Sequence, residues 1–272
     1  MQLGFLEAIL IHTGTNKMII NLVGGSGQMG RTHRPIFEAA GHKIIISGRE
    51  TNPNLEEAAK LADITIISVP ISVTEEVIKK VAPHCKALMD LTGVKIDPIE
   101  AMLKFSKPDC EVGGLHPLYG ERKSIQGETI IYCPTTRSGE KCKQIINELE
   151  KAGAKIKIMT PEEHDEEINL TQNKRTLALK EYATQLMASG KTIEELYNSP
   201  APTKILLDLI AKQVSEDNGE MYEEMIKYNK FGNKQEKALR TPKEIRAFFG
   251  KYLKPAQERA KKYLEISRTS ED

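Results

Sequence analysis

A glycine cluster near the start of the chain follows a short apolar run. Gly25, Gly27 and Gly30 are spaced as G-x-G-x-x-G. Residues 18–23 predict a strand that is buried on both faces, and the stretch after the glycines predicts a helix that ends at Gly41. In such a unit the first glycine permits a tight turn, the second lets the backbone approach a diphosphate, and the third lets helix and strand pack closely. The chain is therefore predicted to bind a dinucleotide at this turn.

Strands and helices alternate after this unit. Ser72 and Glu75 form a capping-box pattern for a helix that runs to about Val81, and another helix is predicted over residues 140–152. The further predicted strands are residues 42–47, 62–69, 86–90, 129–133 and 155–159. This alternation predicts an α/β fold with a Rossmann-type, doubly wound parallel sheet that is covered by helices on both faces.

The pattern changes at Thr160, which begins a Thr-Pro-Glu-Glu capping box with proline at the first helical position. Strand signals are almost absent after it. We therefore expect three regions. Residues 1–17 form a poorly ordered extension, residues 18–160 form a dinucleotide-binding Rossmann domain, and residues 161–272 form an all-helical substrate-binding and dimerisation domain.

The predicted helical domain has strongly apolar faces for its size. One face lies around residues 205–214 and another around residues 221–226. We expect these faces to be buried against a second copy of the chain, which makes the protein a homodimer.

Composition excludes several classes of partner. The chain has 272 residues, a formal net charge of +1 and no dense run of Lys and Arg, so neither nucleic acid nor a membrane surface is an expected partner. No apolar run approaches the ~20 residues of a membrane-spanning helix.

The four cysteines form no C-x-x-C pair and have no histidine at zinc-site spacing, which predicts reduced cysteines, no metal site and a cytoplasmic protein. The N-terminal residues lack the features of a signal peptide.

The end of the second strand indicates which dinucleotide binds. An NAD enzyme usually has Asp or Glu there, whereas this chain reads Ser47-Gly48-Arg49-Glu50. Because a guanidinium can pair with a 2′-phosphate, we predict NADP as the cofactor. Alternatively, Arg49 is a solvated loop charge and Glu50 takes the place of the acid. The predicted cofactor-binding residues are Gly25, Ser26, Gly27, Gln28, Met29, Gly30, Ser47, Gly48, Arg49, Val69 and Pro70.

Three segments follow strands whose ends should meet at one edge of the sheet, where open α/β folds bind ligands. The first ends in Val69-Pro70, the second reads Asp-Leu-Thr-Gly-Val-Lys over residues 90–95, and the third reads Gly-Leu-His-Pro-Leu-Tyr-Gly over residues 114–120. His116 in the third segment is expected to lie near a nicotinamide ring. Alternatively, it is a loop histidine that caps the turn before Pro117.

The order of these segments resembles that of prephenate dehydrogenases. The resemblance extends to an E-H-D sequence at residues 163–165 and to Asn-Ser-Pro at residues 198–200. It implies a small-molecule substrate, either prephenate or arogenate. The implied reaction is an NADP-dependent oxidative decarboxylation, in which hydride passes to the nicotinamide and carbon dioxide leaves as the ring becomes aromatic.

The resemblance also implies roles for single residues. His116 would accept the proton of the substrate hydroxyl as a neutral base, so we expect the rate to rise with pH through an apparent pKa near 6.5. The family often has a serine where this chain has Gly93, which leaves Thr92 as the nearby hydroxyl. Where the family often has histidines in the first long helix, this chain has Asn173 and Thr176.

The substrate carboxylates need cationic or polar partners. His164, Ile168, Gln172 and Arg175 are spaced to share one stripe of a helix, and the polar members of this stripe, with Lys204, are the predicted substrate-binding residues. Alternatively, Arg175 pairs with Glu167 or Asp165 on a solvated face. Arg122 and Lys123 are further candidates, with solvated loop charges as their alternative interpretation.

Two other functions fit parts of the pattern. One is an NADP-dependent reductase that combines a Rossmann domain with a helical dimerisation domain and acts on a 3-hydroxyacid or an imine. Such enzymes lack the G-L-H-P and E-H-D sequences and usually have a catalytic lysine in the helical domain. The other is a non-catalytic NADP-sensing protein, an alternative that the departures at Gly93 and Thr176 leave open.

Overall fold

The computed structural model describes residues 17–215, 219–232 and 239–269. The chain divides into two compact units, of which the first ends at His164 and the second begins at Asp165. The predicted boundary was Thr160, at the start of the helix that crosses this point. The predicted N-terminal extension lies outside the described residues except for Lys17.

The first unit is a seven-stranded sheet with the strand order β2-β1-β3-β4-β5-β6-β7. The strands are β1 Ile19–Val23, β2 Lys43–Ser47, β3 Ile64–Ile67, β4 Ala87–Asp90, β5 Glu111–Pro117, β6 Thr129–Pro134 and β7 Lys155–Ile158. The helices are α1 Gln28–Ala39, α2 Leu55–Leu61, α3 Ile71–Val81, α4 Ile96–Phe105 and α5 Glu140–Lys151, with a 3₁₀ turn at Ala82–His84.

The predicted parallel sheet is confirmed except for one pair of strands. β5 and β6 pair antiparallel, whereas the other neighbours pair parallel. A parallel pair needs a crossover connection, usually a helix. Residues 118–128 between β5 and β6 contain no helix, so β6 runs back along β5.

The central strands place the functional loops at one edge. Every residue of β3 and β4 is buried, which agrees with strands that are covered on both faces. In the parallel register Val23 lies beside Ile67, Ile67 beside Asp90, and Asp90 beside Gly114. The segments that follow β1, β3 and β4 therefore leave the sheet side by side, next to the middle of β5.

One predicted helix cap is wrong and another is confirmed. α3 begins at Ile71 with Pro70 at its N-cap and no side-chain cap, so Ser72 lies inside the first turn rather than before it. Glu75 instead pairs with Lys79 at 2.7 Å. The capping box predicted at Thr160 is confirmed. The Glu163 amide donates to the Thr160 hydroxyl at 3.2 Å, and the Thr160 amide donates to the Glu163 carboxylate at 2.9 Å.

The described part of the second unit consists of helices and turns. After α6 Pro161–Ile168 comes a π-helical turn, Asn169–Asn173. The remaining helices are α7 Lys174–Ala188, α8 Ile193–Tyr197, α9 Ala201–Gln213, α10 Gly219–Tyr228, α11 Pro242–Phe249 and α12 Leu253–Thr269, with a 3₁₀ turn at Gly250–Tyr252. Leu207, Ile210 and Phe249 are the centre of an apolar core in this unit.

Some further features bear on function. Across the described ranges, no helix is both long and apolar enough to cross a membrane. The same ranges contain no group of three or more His, Cys, Asp or Glu residues that could hold a metal ion. All four cysteines are buried, and none of them forms a disulfide with another described residue.

Candidate active site

The turn between β1 and α1 depends on a glycine that precedes the motif. Gly24 has φ +74°, and its amide donates to the Ser47 carbonyl at 2.8 Å. A Cβ at Gly24 would collide with the Ser68 carbonyl, so a side chain fits neither the conformation nor the space. The tight turn thus needs glycine at Gly24, which was not predicted, as well as at Gly25, where a Cβ would lie 2.8 Å from the Leu22 Cβ. A Cβ at Gly30 would collide with the Gly25 backbone, which shows how closely α1 approaches this turn.

The start of α1 fits a diphosphate. Gly27 is the N-cap and provides no side-chain hydrogen bond. The first amides of a helix have no partner within the helix, and together with the helix dipole they attract an anion. Ser26 and Gly27 are exposed, while Gln28 and Met29 are half-buried. The residues of this turn therefore suit the dinucleotide that the motif predicts.

The end of β2 differs in part from the prediction. Ser47 is buried, and its hydroxyl donates to the Asn21 side chain at 2.8 Å, so it offers no free hydrogen-bond donor. Arg49 is exposed and has no hydrogen bond or ion pair with any residue that the structure describes. Glu50 is exposed beside it. At the end of β3, Pro70 is exposed while Val69 is half-buried.

His116 lies inside β5 and not in a loop, because the strand continues to Pro117. Its Nδ1 lies 2.8 Å from Nε2 of His164, and the two rings meet edge to face with centroids 5.0 Å apart. One of these two nitrogens must donate and the other accept, so the pair shares one proton. His164 is fully buried. Although it was predicted to bind substrate, its position suits holding the His116 ring.

Burial keeps both imidazoles neutral. It lowers the pKa of His116 well below 6.5, and the nearby His164 and Lys95 lower it further. Burial and then Lys95 lower the pKa of His164 to about 3. The structure therefore favours a pKa for His116 below the expected value near 6.5, because the ring is more completely buried than the sequence showed. Nε2 of His116 has no partner among the described residues, and in the tautomer in which Nδ1 donates to His164 it can accept a proton.

A buried ion pair lies at the end of β4, and sequence reasoning did not find it. Asp90 and Lys95 are both fully buried and bonded to each other. Thr92 completes the turn, since its amide donates to Asp90 at 3.0 Å and its hydroxyl bonds to the same carboxylate. Lys95 also donates to the Thr92 hydroxyl at 3.3 Å, so this hydroxyl, predicted to be catalytic, is occupied within the turn. The only sequence signal was an Asp and a Lys that flank one turn.

The predicted substrate-binding stripe is broken by the π-helical turn. Such a turn contains an extra residue, so the side chains after it move round the helix by one position. Gln172 is consequently half-buried and Arg175 exposed, whereas Asn173, Thr176 and Lys180 are buried. Within the second unit, Asn173 has a buried amide oxygen without a partner among the described residues.

The other predicted cations are at the surface or already engaged. Arg175 lies over the ring of Tyr222, 5.8 Å from its centre, rather than beside an acid. Lys204 and Lys123 are exposed. Arg122 pairs with Glu128 and covers the ring of Tyr119 at 4.8 Å, so it is not the solvated loop charge of the alternative interpretation.

Comparisons with known proteins agree with this geometry. Residues 29–158 match the family described as "Prephenate dehydrogenase, nucleotide-binding domain". A Methanocaldococcus jannaschii protein named "Probable arogenate/prephenate dehydrogenase" is 30% identical over 233 residues, which are 78% of this chain and 52% of that protein. The chain belongs to the prephenate dehydrogenase family. It spans about half the length of that relative. The T-protein of Enterobacter agglomerans, another relative, is 27% identical and covers 91% of this chain and 70% of its own length.

Solved structures show the same fold. Prephenate dehydrogenase from Aquifex aeolicus, in complex with hydroxyphenyl propionate and NAD⁺, superposes with a TM-score of 0.64 at 19% identity and covers 94% of this chain and 99% of its own. Synechocystis arogenate dehydrogenase superposes with a TM-score of 0.55 at 17% identity, with 93% of each chain covered. At these identities the structures establish the fold of this family member and not its substrate.

Proposed function

We propose that this chain is an NADP-dependent dehydrogenase that converts prephenate or arogenate into the corresponding 4-hydroxyphenyl product with loss of carbon dioxide. The observation that carries the proposal is the environment of His116. It is a buried, neutral imidazole, oriented through Nδ1 by His164 and open at Nε2, at the end of a strand that neighbours the dinucleotide edge.

In the proposed reaction His116 acts as the base. A bound nicotinamide would supply the hydride acceptor. Nε2 of His116 takes the proton of the substrate hydroxyl as the carbon that bears it loses hydride. The bond to the ring carboxylate then breaks, carbon dioxide leaves, and its electron pair completes the aromatic ring, whose oxygen recovers a proton. Because aromatisation provides the driving force, the protein mainly orients the ring and polarises one oxygen.

The buried neighbours support this role. His164 fixes the ring of His116 and selects its tautomer. The charge of Lys95 disfavours the protonated imidazole, so His116 is available as a base at neutral pH. We propose Asp90 and Thr92 as supports that hold Lys95 in place.

We infer NADP rather than NAD from Arg49. Its guanidinium is exposed and without a partner among the described residues, at the strand end where a 2′-phosphate would lie. The Aquifex aeolicus structure contains NAD⁺, so the preference proposed here depends on this one side chain.

We also propose the second unit as the helical domain for substrate binding and dimerisation. Gln172, Arg175 and Lys204 are its candidate groups for the substrate carboxylates, since Arg175 and Lys204 are exposed cations. Four buried cysteines that form no disulfide favour a cytoplasmic location.

The experiment that tests this function is a turnover assay with the purified chain. NADPH formation would be followed with prephenate and, separately, with arogenate, and each assay would be repeated with NAD⁺. We expect one substrate to be turned over with NADP⁺ and the aromatic product to appear in equal amount. Failure with both substrates and both cofactors would overturn the proposal and favour a different reductase or a non-catalytic dinucleotide-binding protein.

A further inference from the structure

An arginine in the first turn of α1 connects two loops. Nε and Nη2 of Arg31 donate to the two carboxylate oxygens of Glu121, at 2.7 and 2.6 Å. Nη1 donates to the backbone carbonyl of Ser26, at 2.8 Å. Ser26 belongs to the glycine turn and Glu121 to the segment that follows His116. The contact of Arg31 with Ser26 and Glu121 is called the clasp below.

The segment that carries Glu121 has two further attachments to α1. His33 donates from Nδ1 to the Met29 carbonyl at 2.8 Å, so its Nε2 accepts from the Tyr119 hydroxyl at 3.1 Å. The Arg122 amide donates to the Thr32 hydroxyl at 3.1 Å. Residues 119–122 are thus held on the same helix end that would bind the diphosphate.

We propose that Arg31 and Glu121 are positioning residues for the dinucleotide. The clasp fixes the carbonyl of Ser26 and with it the shape of the glycine turn. It also joins this turn to the segment that begins at His116. The diphosphate end of the cofactor site is thereby fixed relative to the end near His116. The inference rests on the proposed function only in assuming that a dinucleotide binds at this turn.

The geometry separates this pair from an ordinary surface ion pair. Arg31 and Glu121 are 53% and 42% exposed, and pairs so exposed usually contribute little. Here the planar guanidinium of Arg31 donates to both carboxylate oxygens of Glu121, and its third nitrogen donates to Ser26 in a different loop. A turn that is ordered before the ligand arrives loses less conformational freedom on binding, which strengthens affinity.

If only charge mattered, one variant would change cofactor affinity in the opposite direction. If Glu121 merely lowered the positive potential near the diphosphate, Glu121→Gln would leave Arg31 uncompensated and tighten cofactor binding. If the clasp positions the turn, the same variant weakens binding. The direction of the change therefore distinguishes positioning from electrostatics.

A matched control lies on the same helix. Arg34 and Glu38 form an ion pair at 2.7 Å with 48% and 44% exposure, and their contact joins no loop. The affinity for NADPH and NADH would be measured by fluorescence titration, at a temperature where circular dichroism shows every variant folded. The variants are Glu121→Gln, Arg31→Gln, Arg31→Lys, the double variant Arg31→Gln with Glu121→Gln, and the controls Arg34→Gln and Glu38→Gln.

Each single change in the clasp is expected to raise Kd by about three- to tenfold. The double variant should be no weaker than the singles, since either change already breaks the clasp. Arg31→Lys keeps the charge but not the fork, so it should resemble Arg31→Gln. The two controls should bind as the wild type does.

Unchanged or tighter binding by Glu121→Gln, or wild-type affinity in Arg31→Lys, would overturn the clasp while leaving the proposed function intact. A wild-type chain that binds neither NADPH nor NADH would overturn the proposed function, and the clasp with it.

Discussion

At the scale of single residues, His116 carries most of the chemistry. Its neighbours hold the ring neutral and leave Nε2 open, which is the arrangement that a base requires. His116→Asn keeps a polar side chain but removes the base, so kcat should fall about 10²- to 10⁴-fold while NADP affinity is unchanged. Steady-state kinetics and a separate NADPH titration test this. A folded variant that binds NADPH and turns over at the wild-type rate would contradict the assignment.

Because of the same residue, we expect the rate to be nearly independent of pH in the neutral range. Because burial lowers the pKa of His116 well below 6.5, the imidazole is already neutral there. The wild-type rate should decline only at a pH well below 6.5, where the imidazole takes up a proton, and His116→Asn should lack this decline. A pH–rate profile of kcat/KM checks it. An acid limb centred near 6.5 would show that the ring is more hydrated than the structure indicates.

Arg49 determines the cofactor in the proposed function. Arg49→Ala should raise the Kd of NADP⁺ by about tenfold or more, and it should leave that of NAD⁺ almost unchanged, because only NADP⁺ carries the 2′-phosphate. The companion variant Glu50→Gln tests the alternative, in which Glu50 binds the ribose of NAD⁺. Equal losses for both cofactors in Arg49→Ala would show that Arg49 does not bind the phosphate.

At the scale of elements, α1 contains a buried histidine whose protonation opposes folding. Burial lowers the pKa of His33 to about 4, against 6.5 for an unperturbed histidine. Between these two values the unfolded chain binds the proton and the folded chain does not, so stability is lost as the pH falls through this window. Between pH 7 and pH 4.5 this residue should lower the free energy of unfolding by about 2 kcal/mol.

The variant His33→Gln isolates this contribution. Glutamine can still donate and accept hydrogen bonds but does not titrate in this range. Urea unfolding of both proteins at the two pH values should show a steeper loss for the wild type. The lowered pKa values of His116 and His164 also destabilise the folded chain in acid. Both residues are present in the wild type and in the variant, so their contributions cancel in the comparison. Parallel losses would mean that His33 takes up its proton at the same pH in the folded and unfolded chains, so that burial does not lower its pKa.

At the scale of the whole molecule, the second unit presents apolar side chains to solvent. Ile205 and Leu206 on α9 are 42% and 38% exposed, and Met221 on α10 is 42% exposed. Exposed apolar groups that cluster on an element favour association. We expect a dimer at micromolar concentration in light scattering. Replacing both Ile205 and Leu206 by Lys should give a monomer, whereas Ile158→Lys, at a 68% exposed position in the first unit, should not. A monomeric wild type would contradict this prediction.

The sequence by itself determined the order and type of most elements. Short apolar runs, glycines and capping residues act over a few neighbours, so the strands of the sheet, the glycine turn and the helical second half could be predicted from local pattern. The position of His116 near the dinucleotide edge followed from the same pattern, since the ends of parallel strands meet at one edge.

The tertiary structure alone decided which side chains meet. The contact of His116 with His164, the buried pair of Asp90 and Lys95, and the clasp of Arg31 with Glu121 all join residues from different turns or elements. The π-helical turn moved the buried face from Gln172 and Arg175 to their neighbours, and no periodicity signals that extra residue. Protonation depends on burial, which no single stretch of sequence contains. Local pattern therefore fixed the framework, whereas packing between distant segments fixed the site.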